Sequence, residues 1–239
     1  MSTFVLVHGA WHGSWCWKRV RNKLQAYGHA VFTPTLTGVA ERSHLISREI
    51  NLETHFLDVV NLIRWEDLTD IVLCGHSYGG CVITGVADRI PDRIRALVYL
   101  DAFVPADGEN LLQHLSDEQV KQFQEGADTV GSGWQVPPIP AVFFNVNTDD
   151  REWVDRQCTL HPIETFQQPI RLTGAIDSIK NVTFILASDF TEGSPFPPFY
   201  EKAKARGWQT RTVPCGHDVM LDQPQQLTEL LLETLKPSA

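Results

Sequence analysis

Long apolar runs are missing from this chain of 239 residues, and so is any excess of positive charge. Lys and Arg number 20 against 29 Asp and Glu, and no basic cluster exceeds a few residues, which argues against nucleic acid or an anionic membrane surface as a partner. Met1-Ser2-Thr3 leads straight into Phe4-Val5-Leu6-Val7 with no basic flank and no extended apolar stretch, so neither a signal peptide nor a transmembrane span is expected. Cysteine is scarce. The five present (Cys16, Cys74, Cys81, Cys158 and Cys215) are odd in number and none are spaced C-x-x-C, which excludes a disulfide framework or a zinc ribbon. Most lie in apolar neighbourhoods, as small hydrophobes do, and a reducing, cytoplasmic setting fits them best. There is no internal repeat and no low-complexity segment.

What is present is an alternation. Strand-like runs at Phe4–His8, Ala30–Thr33, Ile71–Cys74 and Ile94–Leu100 are separated by helix-like segments, among them Ser14 to Tyr27 and Leu52 to Arg64. Alternation of this kind predicts a parallel sheet with helices on both faces. The rhythm breaks over 103–178, where helical pieces (Ser116–Phe123, Asp149–Cys158) accompany a proline-rich run, Val136-Pro137-Pro138-Ile139-Pro140. It resumes with Val182–Ala187, a helix near Phe199–Arg206, Gln209–Val213 and a final helix from Gln223 to Leu235. The expectation is one domain over 1–239 with a six-stranded, mostly parallel sheet, residues 103–178 forming a cap at the carboxyl ends of the strands, where such sheets hold ligands.

One stretch carries chemistry: Val72-Leu73-Cys74-Gly75-His76-Ser77-Tyr78-Gly79-Gly80-Cys81. G-x-S-x-G is short enough to occur by accident, but here it lies between a buried strand and a helix. A nucleophile elbow needs that context, a strained turn lifting a serine hydroxyl clear of the sheet. Serine requires a base, and His217, in Val213-Pro214-Cys215-Gly216-His217-Asp218, sits between the last strand and the last helix, where the base of such a site belongs. The acid that orients it must end a strand. Asp189, after Val182–Ala187, is the natural candidate, and Asp101, after Ile94–Leu100, is the rival. An oxyanion hole requires two backbone N–H groups: Tyr78 follows the nucleophile, and Ala10 lies in the loop after the first strand. His8 and His12 have the i, i+4 spacing of metal ligands on a helix. His8 ends a strand, however, and the loop-like residues between them remove the force of that spacing. His76 reads as a packed or hydrogen-bonded side chain.

These residues resemble the α/β-hydrolase superfamily, and within it the group of plant methyl esterases, plant hydroxynitrile lyases and bacterial esterase relatives. Phe4-Val5-Leu6-Val7-His8-Gly9-Ala10-Trp11-His12-Gly13, Trp15-Cys16-Trp17, the elbow, and Gly216-His217-Asp218-Val219-Met220 carry the resemblance, which is strong in the sheet half and weak in the cap. It implies Ser77 as nucleophile, His217 as base, Asp189 as acid, Ala10 and Tyr78 as oxyanion donors, no cofactor and no metal. The implied mechanism is acyl transfer through an acyl-enzyme; the resemblance implies no substrate, and hydrolysis of small to medium hydrophobic carboxylic esters is the expectation.

The lyase members place a threonine after the first-strand histidine and a lysine after the catalytic one. Here those positions hold Gly9 and Asp218, and a carboxylate near departing cyanide opposes elimination by several kcal/mol at ~4 Å and an effective dielectric of about 20. Cyanohydrin cleavage, cofactor-free oxygenation and ligand binding without turnover are the competing readings. Trp11, Phe103, Trp134, Phe144 and Trp153 are candidates for an apolar pocket wall. The expected partner is a small-molecule ester, and a homodimer is compatible with the sequence.

Overall fold

A computed structural model describes residues 1–236. In chain order its strands are β1 (Thr3–Val7), β2 (Ala30–Phe32), β3 (Ile71–Ser77), β4 (Ile94–Ala102), β5 (Gln135–Val136), β6 (His161–Pro162), β7 (Val182–Ala187) and β8 (Gln209–Val213). The helices are α1 (Lys18–Ala26), α2 (Leu52–Trp65), α3 (Gly79–Arg89), α4 (Asp117–Thr129), α5 (Arg151–Gln157), α6 (Glu164–Gln167), α7 (Pro197–Ala205), α8 (Val219–Asp222) and α9 (Pro224–Glu233).

Six strands form one sheet in the order β2-β1-β3-β4-β7-β8, every neighbouring pair parallel. The central strands are covered on both faces, which is why β1, β3, β4 and β7 read as nearly continuous apolar runs rather than as alternation. Helix α2 shows the complementary logic. Leu52, His55, Phe56, Val59, Val60 and Ile63 recur at helical spacing and are buried. Asn51 caps it in a capping box with Thr54, a device worth about 1 kcal/mol.

Several boundaries differ from the sequence reading. The first helix opens with a 3-10 turn at Ser14–Trp17 before α1 begins. The cap helix near Ser116 runs on to Thr129, with Ser116 as its N-cap. The expected last helix is found as α9, opened by Pro224 at its first position, and is preceded by the short α8, which the sequence reading did not include. No helix among the described residues is long and apolar enough to cross a membrane.

The chain between β4 and β7 holds α4, α5, α6 and the short antiparallel pair β5–β6. It sits over the carboxyl ends of the strands and is tied by hydrogen bonds to Trp11 in the loop after β1. The Trp11 indole N–H donates to the Val136 carbonyl at 3.0 Å, and the Thr159 N–H to the Trp11 carbonyl at 3.0 Å.

Candidate active site

The elbow is built by close approach. Ser77 has φ 55°, in the left-handed region that costs a non-glycine residue of order 1–3 kcal/mol. The turn is so tight that a Cβ on Gly75 would lie 2.5 Å from the Gly79 carbonyl oxygen. The two glycines of the motif thus meet each other across the turn, leaving Ser77 at its crest.

Next to it, β4 carries Asp101. The β3–β4 register runs His76 to Leu100 and then Ser77 to Ala102, so Asp101 is an extra residue on β4. A bulge re-aims the side chain of its extra residue. Asp101, at φ 42°, is turned toward β7, where one carboxylate oxygen accepts the Ala187 N–H at 3.1 Å. Its other oxygen accepts the His217 Nδ1–H at 2.6 Å. Asp101 is fully buried and His217 nearly so.

The expectation that Asp189 would hold His217 is therefore corrected. Asp189 lies two residues beyond the end of β7 and touches the histidine loop only through its backbone, its N–H donating to the Cys215 carbonyl at 3.2 Å. Its carboxylate is exposed at the wall of the pocket, where the Ser188 hydroxyl is its hydrogen-bond partner at 3.4 Å.

Burial pushes the His217 imidazole down from the usual histidine range to about 4, with Asp218 opposing and His12 assisting. Burial lifts the Asp101 carboxyl well above its ordinary value, offset in part by the Ala187 N–H. Near pH 7 His217 is thus a neutral base whose Nδ1–H is fixed on Asp101, leaving Nε2 free to take a proton. Its ring is clamped by aromatics: Phe196 stacks on it at 4.9 Å between centroids, with Phe144 and Phe190 each at 5.1 Å.

Two backbone N–H groups, those of Ala10 and Tyr78, donate to no acceptor among the described residues, and both residues line the same cavity as Ser77 and His217. Their positions are over-determined. The Tyr78 hydroxyl donates to His55 Nδ1 at 2.7 Å, while His55 Nε2–H donates to the Thr37 carbonyl at 2.9 Å. At Gly9, a Cβ would lie 2.9 Å from the Ser77 Cβ and 3.0 Å from His76 Nδ1, so a threonine does not fit there without displacing the elbow.

Three further histidines hydrogen-bond the backbone around the site. His8 donates through Nδ1 to the Gly9 carbonyl at 2.8 Å and accepts the Leu36 N–H at Nε2 at 3.0 Å. His12 holds the Ala10 carbonyl, and His76 donates from Nε2 to the His217 carbonyl at 3.0 Å. Among the described residues no group of His, Cys, Asp and Glu side chains has the arrangement of a metal site.

The cavity has a volume of about 1310 Å³. Trp11, Phe103 and Phe144 line it, as the sequence suggested; Trp134 and Trp153 do not. Trp153, on α5, packs edge-on against Trp15 at 5.0 Å, and Trp134 lies under the Arg48 guanidinium at 5.8 Å. Phe123, Phe166, Phe190 and Phe196 line the cavity instead. Phe123 and Phe166 come from the cap, and Phe190 and Phe196 from the loop between β7 and α7, a convergence that local sequence pattern does not reveal.

Asp218 is also not where a lyase lysine would act. It is fully buried, takes no part in the cavity wall, and is paired with His12 at 3.2 Å. Electrostatic opposition to cyanide from this residue is therefore muted, and the closed position at Gly9 becomes the stronger obstacle to lyase chemistry.

The model of the α/β hydrolase family matches residues 4–230. The chain belongs to that family. It is 46% identical over 239 residues to the carbendazim hydrolyzing esterase of Nocardioides sp. (strain SG-4G), covering 97% of this chain and 98% of that one. It is 26% identical over 250 residues to methylesterase 7 of Arabidopsis thaliana, covering 96% and 95% of the two chains. Among solved structures, an extracellular α/β-hydrolase from a Paenibacillus species superposes with a TM-score of 0.86 at 24% identity, over 98% of this chain and 99% of that one. Polyneuridine aldehyde esterase superposes with a TM-score of 0.76 at 20% identity, over 99% and 100%. At these identities the solved structures speak for the fold alone.

Proposed function

We propose that this α/β hydrolase is a serine-dependent carboxylesterase acting through an acyl-enzyme, with Ser77 as nucleophile, His217 as general base and Asp101 as the acid that orients it. The observation that carries this reading is the 2.6 Å bond from His217 Nδ1 to a buried carboxylate, on a ring that shares a cavity with a strained serine. Ser77 Oγ attacks the ester carbonyl as its proton passes to His217 Nε2. The N–H groups of Ala10 and Tyr78 receive the negative charge on the former carbonyl oxygen. Collapse breaks the acyl–oxygen bond, and the alcohol leaves with the proton held by His217. Water then gives its proton to His217, attacks the acyl-serine and releases the acid with Ser77 restored.

The substrate class is a small to medium hydrophobic ester whose apolar part is held by the Phe123, Phe144, Phe166 and Phe196 walls. The likeness to the carbendazim hydrolyzing esterase makes that compound the first to offer, followed by aryl methyl and p-nitrophenyl esters of increasing acyl length. Ser77→Ala should reduce ester turnover by about a millionfold, as loss of a triad serine does, with the thermal midpoint little changed. Full hydrolysis by the alanine variant would overturn the acyl-enzyme reading and favour chemistry run by His217 and Asp101 without the serine.

A further inference from the structure

His12 and Asp218 have no place in the acyl-transfer steps above, yet both are buried directly behind them, at 2% and 0% exposure. His12 Nδ1 lies 2.7 Å from the Ala10 carbonyl oxygen, and its Nε2 lies 3.2 Å from Asp218 Oδ2. A carbonyl oxygen can only accept a hydrogen bond, and so can an ionised carboxylate. Nδ1 therefore donates to Ala10, and with Asp218 held ionised by the histidines around it Nε2 donates as well, which makes His12 an imidazolium and Asp218 its counter-ion.

The contrast with the other two histidines at this loop is informative. His8 has one acceptor partner and one donor partner, Gly9 C=O and Leu36 N–H, and is neutral. His161 accepts the Trp11 N–H at 3.2 Å and turns its Nε2–H to the Thr165 hydroxyl at 2.9 Å, so it is neutral too. The Ala10–Trp11 peptide is thus held from both sides, its C=O by His12 and its N–H by His161. Trp11 is locked at φ 64° between them.

Resting on the esterase reading, we propose that His12 and Asp218 are positioning residues for the oxyanion hole: a buried imidazolium–carboxylate pair that clamps the Ala10–Trp11 peptide from behind and so aims the Ala10 N–H at the developing oxyanion. The pair also keeps the site electrically quiet. Asp218 adjoins the base His217 in sequence, and without a counter-charge its carboxylate would favour the protonated, unreactive base.

The groups facing the pair come from every element around it. Trp15 stacks on His12 at 5.0 Å, the Cys158 sulfur lies 4.0 Å from His12 Nδ1, and His76 Nε2 lies 3.8 Å from Asp218 Oδ1. Cys16, Asp101, Cys215, His217 and Asp222 surround Asp218 more loosely. Burial disfavours charge on His12, but Cys158 and Asp218 hold its proton well above the ordinary histidine range. Burial alone would lift Asp218, yet His12, then His76 and His217, hold it well below the carboxylate range.

The test combines a spectrum with kinetics. In protein labelled with nitrogen-15 at histidine, both His12 ring nitrogens should carry protons from about pH 6 to about pH 8, unlike those of a free histidine. Loss of that signal in D218N assigns it. His12→Ala removes the clamp and should lower kcat for a p-nitrophenyl ester by roughly thirtyfold with KM within about twofold, because the hole serves the transition state rather than the ground state. D218N leaves a neutral His12 whose Nδ1–H still reaches Ala10, so its loss should be smaller, about three- to fivefold, with the acid limb of kcat/KM displaced to lower pH.

An unprotonated ring nitrogen on His12 in the wild type would overturn the ion pair. A His12→Ala variant that only melts earlier, at unchanged kcat, would overturn the positioning role. A wild-type chain that neither hydrolyses the ester nor takes a fluorophosphonate at Ser77 would sink the esterase reading and the role with it, while the ring-nitrogen signal still decides the ion pair.

Discussion

The sheet end and the cap do different work around one cavity. On the sheet side every group is fixed twice: Asp101 by Ala187 and His217, Tyr78 by its chain position and His55, and the peptide beyond Ala10 by His12 and His161. Three of its residues, Trp11, Ser77 and Asp101, hold positive φ angles that only such redundancy sustains. On the cap side the wall is aromatic and proline-rich, and a carboxylate there, that of Glu118, faces solvent. Geometry for the reaction is invested in the sheet, whereas the cap supplies apolar surface that shapes what enters. Replacements on the two sides should therefore fail differently, in kcat below and in KM above.

The sharpest form of that contrast uses two aspartates on the same pocket. Asp101→Asn should lower kcat about ten-thousandfold, since an amide cannot hold His217 in the working tautomer or balance the imidazolium. Asp189→Asn should change kcat/KM by about two- to threefold, through the field at the pocket wall alone. A reversal of the two penalties in steady-state assays would move the acid to Asp189 and dissolve the distinction between frame and wall.

A second contrast appears in acid. Burial disfavours the charged forms of His8, His55, His76, His161 and His217, with His8 pushed down to about 3 and His217 to about 4. Below about pH 6.5 the unfolded chain then binds more protons than the folded one, so stability falls as pH drops toward those values. Asp218, lowered in the fold, adds to the loss only below the ordinary carboxylate range, while His12 and Asp101, both raised, oppose it. Because the histidines with lowered values outnumber the groups that oppose them, the thermal midpoint should fall from about pH 7 to about pH 5. A flat profile would mean that the frame opens to water and its histidines titrate as exposed ones.

In the cap the expected loss falls mainly on KM. Phe144→Ala removes a ring that borders both the cavity and His217, and should raise KM for an aryl ester by about tenfold with a smaller loss in kcat. A loss confined to kcat would assign Phe144 to holding the base rather than the substrate.

Much of the frame is legible in the sequence because it is local. The elbow at Gly75–Gly79, the loop at His8–Gly13 and the histidine between the last strand and helix each declare themselves within a few residues. The sheet follows from apolar runs alternating with amphipathic helices, and it proves parallel throughout. Asp101 is harder to read because its orientation depends on a one-residue bulge against β3, a register event between distant segments that leaves no mark in the local pattern. Trp134 and Trp153 mislead for a related reason: an aromatic residue in a cap faces the pocket or the packing according to contacts made far away in sequence. His12 and Asp218 are 206 residues apart, and only their common burial makes them partners.

The central claim is that Ser77 passes through a covalent acyl stage. Wild-type protein mixed with a p-nitrophenyl ester, quenched in acid within the first turnover and weighed intact, measures it directly. The account predicts one added acyl group per chain, mapping by peptide fragmentation to Ser77. It also predicts that the group is absent from Ser77→Ala and accumulates far more slowly in Asp101→Asn. Ester hydrolysis at full rate with no acyl adduct at any time, or an adduct on another residue, would contradict it.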